Sequence, residues 1–154
     1  MIALYKPEYK DLWFRKLMLE DEETMSYNRA WGGTINFPEE DWEPWYDFWL
    51  KNPGCNRFYR YIKNENDDFV GEIAYHFDDE LNGFIANVIV YTKYRHMGYG
   101  SEALDMLCAV AKENGVSFLY DDIAIDNPAI TLFLKHGFIE EYRTCDKIIL
   151  KKLL

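Results

Sequence analysis

The stretch Val88-Ile89-Val90-Tyr91-Thr92-Lys93-Tyr94-Arg95-His96-Met97-Gly98-Tyr99-Gly100-Ser101 is an apolar, strand-like run that enters a helix-like segment through two glycines at alternate positions. Glycines so spaced let successive backbone N–H groups converge on an anion, and a following helix N-terminus adds about half a positive charge at the same place. These residues make a phosphate cradle. Lys93, Arg95 and His96 add local basic charge within a chain whose formal net charge is −10. An ordinary strand-to-helix turn uses the same glycines, so glycine spacing alone does not separate the two.

Two other phosphate-binding loops compete for this segment. The pattern G-x-x-x-x-G-K-[ST] of the P-loop is absent. Gly98-Tyr99-Gly100-Ser101-Glu102-Ala103 satisfies the G-x-G-x-x-A of dinucleotide-binding folds, and Asp121 and Asp122 stand about 20 residues on, where a ribose-binding acid is expected. In such folds the first glycine follows its strand almost directly. Here residues 92–97 intervene, and only 32 residues remain after Asp122 to complete a doubly wound sheet.

The elements that must position this loop follow from periodicity. Ile2-Ala3-Leu4-Tyr5 predicts a short opening strand stopped by Pro7. Leu12, Phe14, Leu17 and Met18 fall near helical spacing and predict a first helix ending after Leu19. Trp31-Gly32-Gly33 reads as a turn. Trp42, Trp45, Tyr46 and Trp49 recur at i, i+3, i+4 and i+7 behind the acidic first turn Glu39-Glu40-Asp41, predicting a second helix closed by Asn52-Pro53-Gly54. Its aromatic stripe reads as core rather than ligand cage. Strand-like segments over 58–62, 69–77 and 84–91 are joined by short polar connections, which favours antiparallel neighbours. Ala103, Leu104, Leu107, Cys108 and Ala111 form a helical stripe ended by Asn114-Gly115. A strand over 118–123, a short helix over 128–135 ended by Gly137, and a hairpin of 139–142 with 147–151 complete the chain. The order β-α-α-β-β-β-α-β-α-β-β predicts an α/β fold, a single-domain mixed sheet flanked by helices.

Composition agrees with one globular domain: 154 residues, 49% apolar and 18% aromatic, are ample for a packed core. No apolar run approaches the ~20 residues that span a bilayer. The N-terminus lacks the basic region and cleavage site of a signal peptide, so a cytoplasmic protein is expected. Cys55, Cys108 and Cys145 are odd in number and widely spaced, which suggests small core residues rather than disulfides, a zinc site or any other metal. The net charge of −10 argues against nucleic acid or an anionic membrane as partner. Nine carboxylates against the single Arg29 fall between Glu20 and Asp47, as a solvated face or as a field for a cationic substrate.

The glycine loop also resembles a known family, the GCN5-related N-acetyltransferases (GNAT). The segment from Val90 to Gly100 is similar to the family pattern V-x-P-x-Y-[QR]-x-x-G-x-[GA], with Thr92 in place of the proline, and Asn127-Pro128-Ala129-Ile130 running into Lys135-His136-Gly137-Phe138 supplies a second motif. The resemblance covers about residues 70–140 and implies a fold of the order read above. It further implies acetyl-CoA as co-substrate, its pantetheine arm along Val88, Ile89 and Val90 and its pyrophosphate over Arg95, His96, Met97, Gly98, Tyr99, Gly100 and Ser101. Asn127 is a possible cofactor contact, although Asp126 holds the more usual spacing to Gly137.

The family reaction is direct attack of an amine on the thioester, which needs a route for the amine proton, donors for the oxyanion and, ideally, an acid for the thiolate. The resemblance offers Asp121 or Glu72 as the base; as a bland alternative, Asp121, Asp122 and Asp126 are strand-end and turn acids. Phe133 stands where the family usually has tyrosine, which leaves Tyr99 or Tyr120 as the acid, solvent in that role, or an impaired enzyme. The acceptor site is expected over residues 12–49, whose acidic and aromatic mixture suits a cation. The expectation is therefore an acetyl-CoA-dependent N-acetyltransferase, monomer or homodimer, acting on an amine of a small molecule or peptide. A non-catalytic acyl-CoA-binding module and a dinucleotide-binding protein are the alternatives.

Overall fold

A computed structural model describes all residues, 1–154. Seven strands form one sheet: β1 (Ala3–Tyr5), β2 (Arg57–Lys63), β3 (Phe69–Asp78), β4 (Gly83–Val90), β5 (Phe118–Ala124), β6 (Ile139–Arg143) and β7 (Lys147–Leu153), in the spatial order β1-β2-β3-β4-β5-β7-β6. Every neighbouring pair is antiparallel except β4 and β5, which run parallel. That pair needs a crossover, supplied by the long helix over Tyr99–Glu113. Numbered in chain order, the helices are α1 (Leu12–Leu19), α2 (Trp42–Tyr46), α3 (Tyr99–Glu113) and α4 (Ile130–Lys135).

Strand alternation gives the sheet two apolar faces. On one, Ile62, Ile73, Tyr75, Ala86 and Leu119 pack under α3 and α4, whose Phe133 is buried there. The predicted stripe of Ala103, Leu104, Leu107, Cys108 and Ala111 is buried throughout. On the other, Tyr59, Tyr61, Ala74 and Ile89 pack under α1 and α2.

Several expectations change. The second helix begins with a 3₁₀ turn at Glu39–Asp41 and its last turn, Asp47–Lys51, is a wider π turn. Of its aromatic stripe only Trp42 is core, its indole donating to the Phe37 carbonyl at 3.1 Å; Trp45 and Trp49 are half-buried. Cys108 is buried as expected, whereas Cys55 and Cys145 are exposed.

A 3₁₀ helix over Thr24–Trp31 escapes the periodicity reading because tertiary hydrogen bonds hold it. The Thr24 side chain is fully buried and bonds to Asp21, whose carboxylate also accepts the Thr24 N–H. Thr24 Oγ1 then accepts from the Thr92 N–H at 3.1 Å, and the Thr92 hydroxyl donates to Glu23 at 3.2 Å. Arg95 closes the staple, donating to the carbonyls of Glu23 (3.0 Å), Thr24 (2.6 Å) and Val90 (3.3 Å).

Thr92 thus makes a contact that a proline could not, since proline has no N–H to give Thr24. Restoring the residue of the family pattern, Thr92→Pro, is expected to destabilise the protein by about 1–3 kcal/mol through the donor it removes. A denaturant midpoint equal to or above wild type would show that the Thr24 contact contributes nothing.

Candidate active site

β4 and β5 pair over only two residue pairs, Phe84↔Leu119 and Ile85↔Tyr120. Beyond these, β4 stays with β3 as far as Gly71↔Val90, and β5 stays with β7 as far as Ala124↔Lys147. The two strands therefore part, leaving the β4 edge beyond Ile85 without a strand partner on that side. Gly71 holds β4 on its outer neighbour: a Cβ there would stand 2.2 Å from the Ile89 carbonyl oxygen, so only glycine permits this approach. A cavity of about 1250 Å³ opens at the gap, lined by Ala86, Val88, Ile89 and Val90 on one side and Asp121 and Asp122 on the other. Because the gap pierces the sheet, the cavity is continuous between the α3/α4 face and the α1/α2 face.

On the α3/α4 face it ends at the glycine loop. The backbone N–H groups of residues 96–101 have no protein acceptor, whereas the Glu102 N–H already bonds to the Gly98 carbonyl as the first closed turn of α3. Six consecutive free donors at the positive end of a 15-residue helix form an anion site. Gly98 has φ 87°, a conformation that costs other residues about 1–2 kcal/mol, and a Cβ there would point into open space. Gly100 differs: it lies within the helix, and a Cβ would make ordinary contacts with Leu132 (3.6 Å) and Val90 (3.8 Å).

On the α1/α2 face the floor is a buried ion pair. Arg15 Nη1 donates to Glu72 Oε1 at 2.9 Å, and the same carboxylate accepts from Tyr59 (2.7 Å) and from Asn87 (3.1 Å). The guanidinium also lies 4.3 Å from the Trp45 ring centre, 5.2 Å from Phe37 and 5.4 Å from Tyr59. Such cation–π contacts are worth about 2 kcal/mol each when desolvated. The aromatic faces of Phe37 and Trp45, within the segment whose acidic and aromatic mixture suits a cation, are therefore occupied by the protein's own arginine. Trp49, Tyr27 and His76 complete the walls. None of the nine carboxylates between Glu20 and Asp47 lines this cavity; Glu22 and Glu23 border a separate polar cleft, and most of the rest face solvent.

The cavity gathers most of the predicted residues: Val88, Ile89, Val90, His96, Gly98, Tyr99, Gly100, Ser101, Asn127, Phe133, Asp121 and Glu72 all line it. Others are placed differently. Arg95 borders the cavity, but its guanidinium is committed to three carbonyls, so the loop's attraction for anions rests on backbone N–H groups rather than on this charge. Met97 is 61% exposed and not on the cavity wall. Tyr120 is a correction: it lies in the paired part of β5, with its ring over Gly83 and near Phe118 and Lys151, outside the cavity. The glycine leaves room for that ring, and the Tyr120 hydroxyl does not face the gap.

Two carboxylates remain as bases. Glu72 is 1% exposed and already engaged by three donors, so accepting a further proton would break the floor apart. Asp121 stands at the gap, and burial, followed by the neighbouring Asp122 charge, pushes its carboxyl well above the usual range, against the smaller opposing effect of a hydrogen bond from the Asp122 backbone. Asn127 is partly used in the structure itself, its Oδ1 accepting the Ala129 N–H at 2.9 Å at the start of α4. Arg15, Tyr27, His76 and Asn87 escape the sequence reading, because strand alternation and a long-range ion pair bring them together rather than any local spacing.

The acetyltransferase (GNAT) family model matches residues 7–138, and the chain belongs to this family. Among solved structures it is similar to the spermidine N-acetyltransferase of Vibrio cholerae, in complex with CoA and spermine, at 17% identity over 99% of this chain and 95% of that one, with a TM-score of 0.82. It is also similar to the GNAT-family acetyltransferase of Bacillus anthracis, at 22% identity over 99% and 94% with a TM-score of 0.75. The PaiA N-acetyltransferase of Thermoplasma acidophilum, in complex with coenzyme A, shows 16% identity over 100% and 99% with a TM-score of 0.72. These likenesses establish the fold. No curated protein matches the chain in sequence.

Gly98→Val is expected to weaken coenzyme A binding at least about tenfold, because a β-branched side chain resists the left-handed backbone that orients the loop donors. Gly100→Ala is expected to fold normally, its methyl meeting only Leu132 and Val90. Calorimetric titration of a folded Gly98→Val protein showing wild-type affinity would remove this loop as the phosphate site.

Proposed function

We propose that this protein is an acetyl-CoA-dependent N-acetyltransferase that moves an acetyl group to a primary amine of a small molecule or peptide by direct attack. The observation that carries this reading is the gap between β4 and β5, which joins an anion cradle on one face of the sheet to an aromatic-walled chamber on the other. Two substrates entering from opposite faces would meet at the gap.

In this reading the phosphates of acetyl-CoA lie on the free N–H groups of residues 96–101, and the acyl-bearing arm lies against the β4 edge at Val88, Ile89 and Val90. The amine enters past Trp45, Trp49 and Tyr27. Its nitrogen attacks the thioester carbonyl, the N–C bond forms, the C–S bond breaks, and the sulfur leaves with the electron pair. Edge N–H groups of β4 are the available donors for the oxyanion.

An alkyl amine with a pKa of about 10 is mostly protonated at neutral pH and must lose a proton to attack. Asp121 is the acceptor for that proton, because its raised pKa brings it toward the range in which a carboxylate both takes up and releases protons. Phe133 cannot protonate the thiolate and Tyr120 faces elsewhere, so solvent or Tyr99 completes the step. A cationic acceptor such as the polyamine held by the Vibrio cholerae protein would meet Asp121 and Asp122 at the gap, not the acidic outer surface of residues 20–47.

Thiol release from acetyl-CoA, followed over a panel of polyamines, amino acids and peptides, tests the proposal: at least one amine is expected to accelerate release, with acetylated product confirmed by mass. Thermal unfolding with acetyl-CoA, CoA and NADH is run beside it, since a ligand of the folded state raises stability with its concentration over Kd. Stabilisation by CoA species without turnover on any amine would favour the binding module, and stabilisation by NADH alone a dinucleotide protein.

Asp121→Asn should lower kcat about 10²-fold while CoA affinity is retained. It should also alter stability with a defined pH dependence. The unfolded aspartate ionises near pH ~3.9, whereas the folded one holds its proton to higher pH. As pH rises through that window the unfolded state is favoured, and the penalty is complete above the folded pKa. Asp121→Asn removes it, so the variant should be more stable than wild type at pH 7, with the difference shrinking below about pH 4. A variant no more stable at pH 7 than at pH 4, relative to wild type, would show that Asp121 carries no buried-charge penalty.

A further inference from the structure

At the start of α3 the Ser101 hydroxyl lies 2.7 Å from His136 Nε2, and His136 Nδ1 lies 2.7 Å from Asp105 Oδ1. Ser101 lines the cavity in the first turn of α3, Asp105 follows one turn later, and His136 caps the end of α4 opposite. The His136 side chain is 14% exposed, so protein groups rather than water determine what its nitrogens bond to.

The chain of three has only two proton arrangements. An ionised carboxylate only accepts, so the Nδ1 proton points to Asp105. With a neutral ring, Nε2 is an acceptor and takes the Ser101 O–H, which turns the hydroxyl's lone pairs toward the cavity. With a protonated ring, Nε2–H donates to Ser101 Oγ, and the hydroxyl proton is free to point outward. A phosphate oxygen is an acceptor and is served only by the second arrangement.

We propose that His136 and Asp105 are positioning residues which aim the Ser101 hydroxyl at a phosphate of the acyl carrier, and that carrier binding draws one proton from solvent onto His136. This rests on the reading of residues 96–101 as the phosphate site. Asp105 is the charged group that meets the ring directly; Lys135 precedes His136 in the chain, and Lys152 of β7 lies by the backbone that follows it, its Cε 3.4 Å from where a Gly137 Cβ would stand. A phosphate brought to residues 96–101 would add negative charge on the Ser101 side of the ring, opposite the Asp105 carboxylate. Asp105 is 65% exposed, so its own contribution is screened and Ser101 carries the larger effect.

The test is ¹⁵N NMR of the imidazole in the whole protein, at a pH high enough that His136 is neutral when free. The probe is 3′-dephospho-CoA, whose pyrophosphate has no group titrating near neutrality. Saturation is expected to convert Nε2 from an unprotonated to a protonated nitrogen, and calorimetry in buffers of different ionisation enthalpy should register net proton uptake. Ser101→Ala should weaken binding about tenfold and abolish the uptake, as for loss of a hydrogen bond to a charged group. Asp105→Asn should weaken it about threefold. His136→Gln, whose amide can donate to Ser101 without titrating, should keep most of the affinity but take up no proton, while His136→Leu keeps neither. Unliganded thermal unfolding checks that each variant is folded. If the probe shifts the amides of residues 96–101 but leaves Nε2 unprotonated, or if Ser101→Ala binds as wild type, the relay is a structural brace and the proposal falls alone. If those amides do not respond, the proposal falls together with the phosphate site.

Discussion

The parting of β4 from β5 governs how this molecule is built. A parallel pair that stayed together to its end would seal the sheet and leave two separate apolar faces. Here each strand keeps its antiparallel partner, and Gly71 brings β3 within a distance of Ile89 that no side chain could share. The backbone groups left bare at the gap need another partner, since a buried unpaired amide is costly. That requirement is what makes a strand edge into a binding surface.

The two ends of the cavity solve opposite electrostatic problems. At the α3 end the site is made of fixed dipoles, six N–H groups in an acidic protein, which attract an anion without bringing in a mobile cation. At the α1 end a full ion pair is buried, and it survives because Glu72 is satisfied by three donors and Arg15 is sandwiched by aromatic rings. Removing either partner would strand a charge, at about 3–5 kcal/mol, so the pair reads as scaffold for the chamber rather than as acid–base machinery. Asp121 and Asp122 are left as the carboxylates at the gap between the two.

Arg95 and Thr92 connect these ends. Both belong to the glycine loop, and both bond to the neighbouring residues Glu23 and Thr24: Arg95 to their two carbonyls, Thr92 to the Thr24 hydroxyl and the Glu23 carboxylate. Thr24 opens the 3₁₀ segment Thr24–Trp31, which carries Tyr27 into the chamber wall. The Tyr27 wall of the chamber is therefore tied by hydrogen bonds to the glycine loop at the other end of the cavity.

Local pattern in the chain was enough for the element order, the buried stripe of α3, the glycine loop and the family motifs, because each depends on periodicity or on backbone freedom at a fixed spacing. Asp121 and Glu72 came forward as candidate bases only through the family resemblance. Tertiary packing settled what local pattern leaves open: that Arg95 faces carbonyls, that Tyr120 turns away over Gly83, that Trp45 serves Arg15, and that the nine acids of residues 20–47 stay outside the cavity. The physical reason is the same in each case. A side chain's type fixes which bonds it can make, but its partner is set by which strand or helix lies beside it, and the pairing of Tyr59 with Glu72 or of Ser101 with His136 spans residues that share no period in the chain.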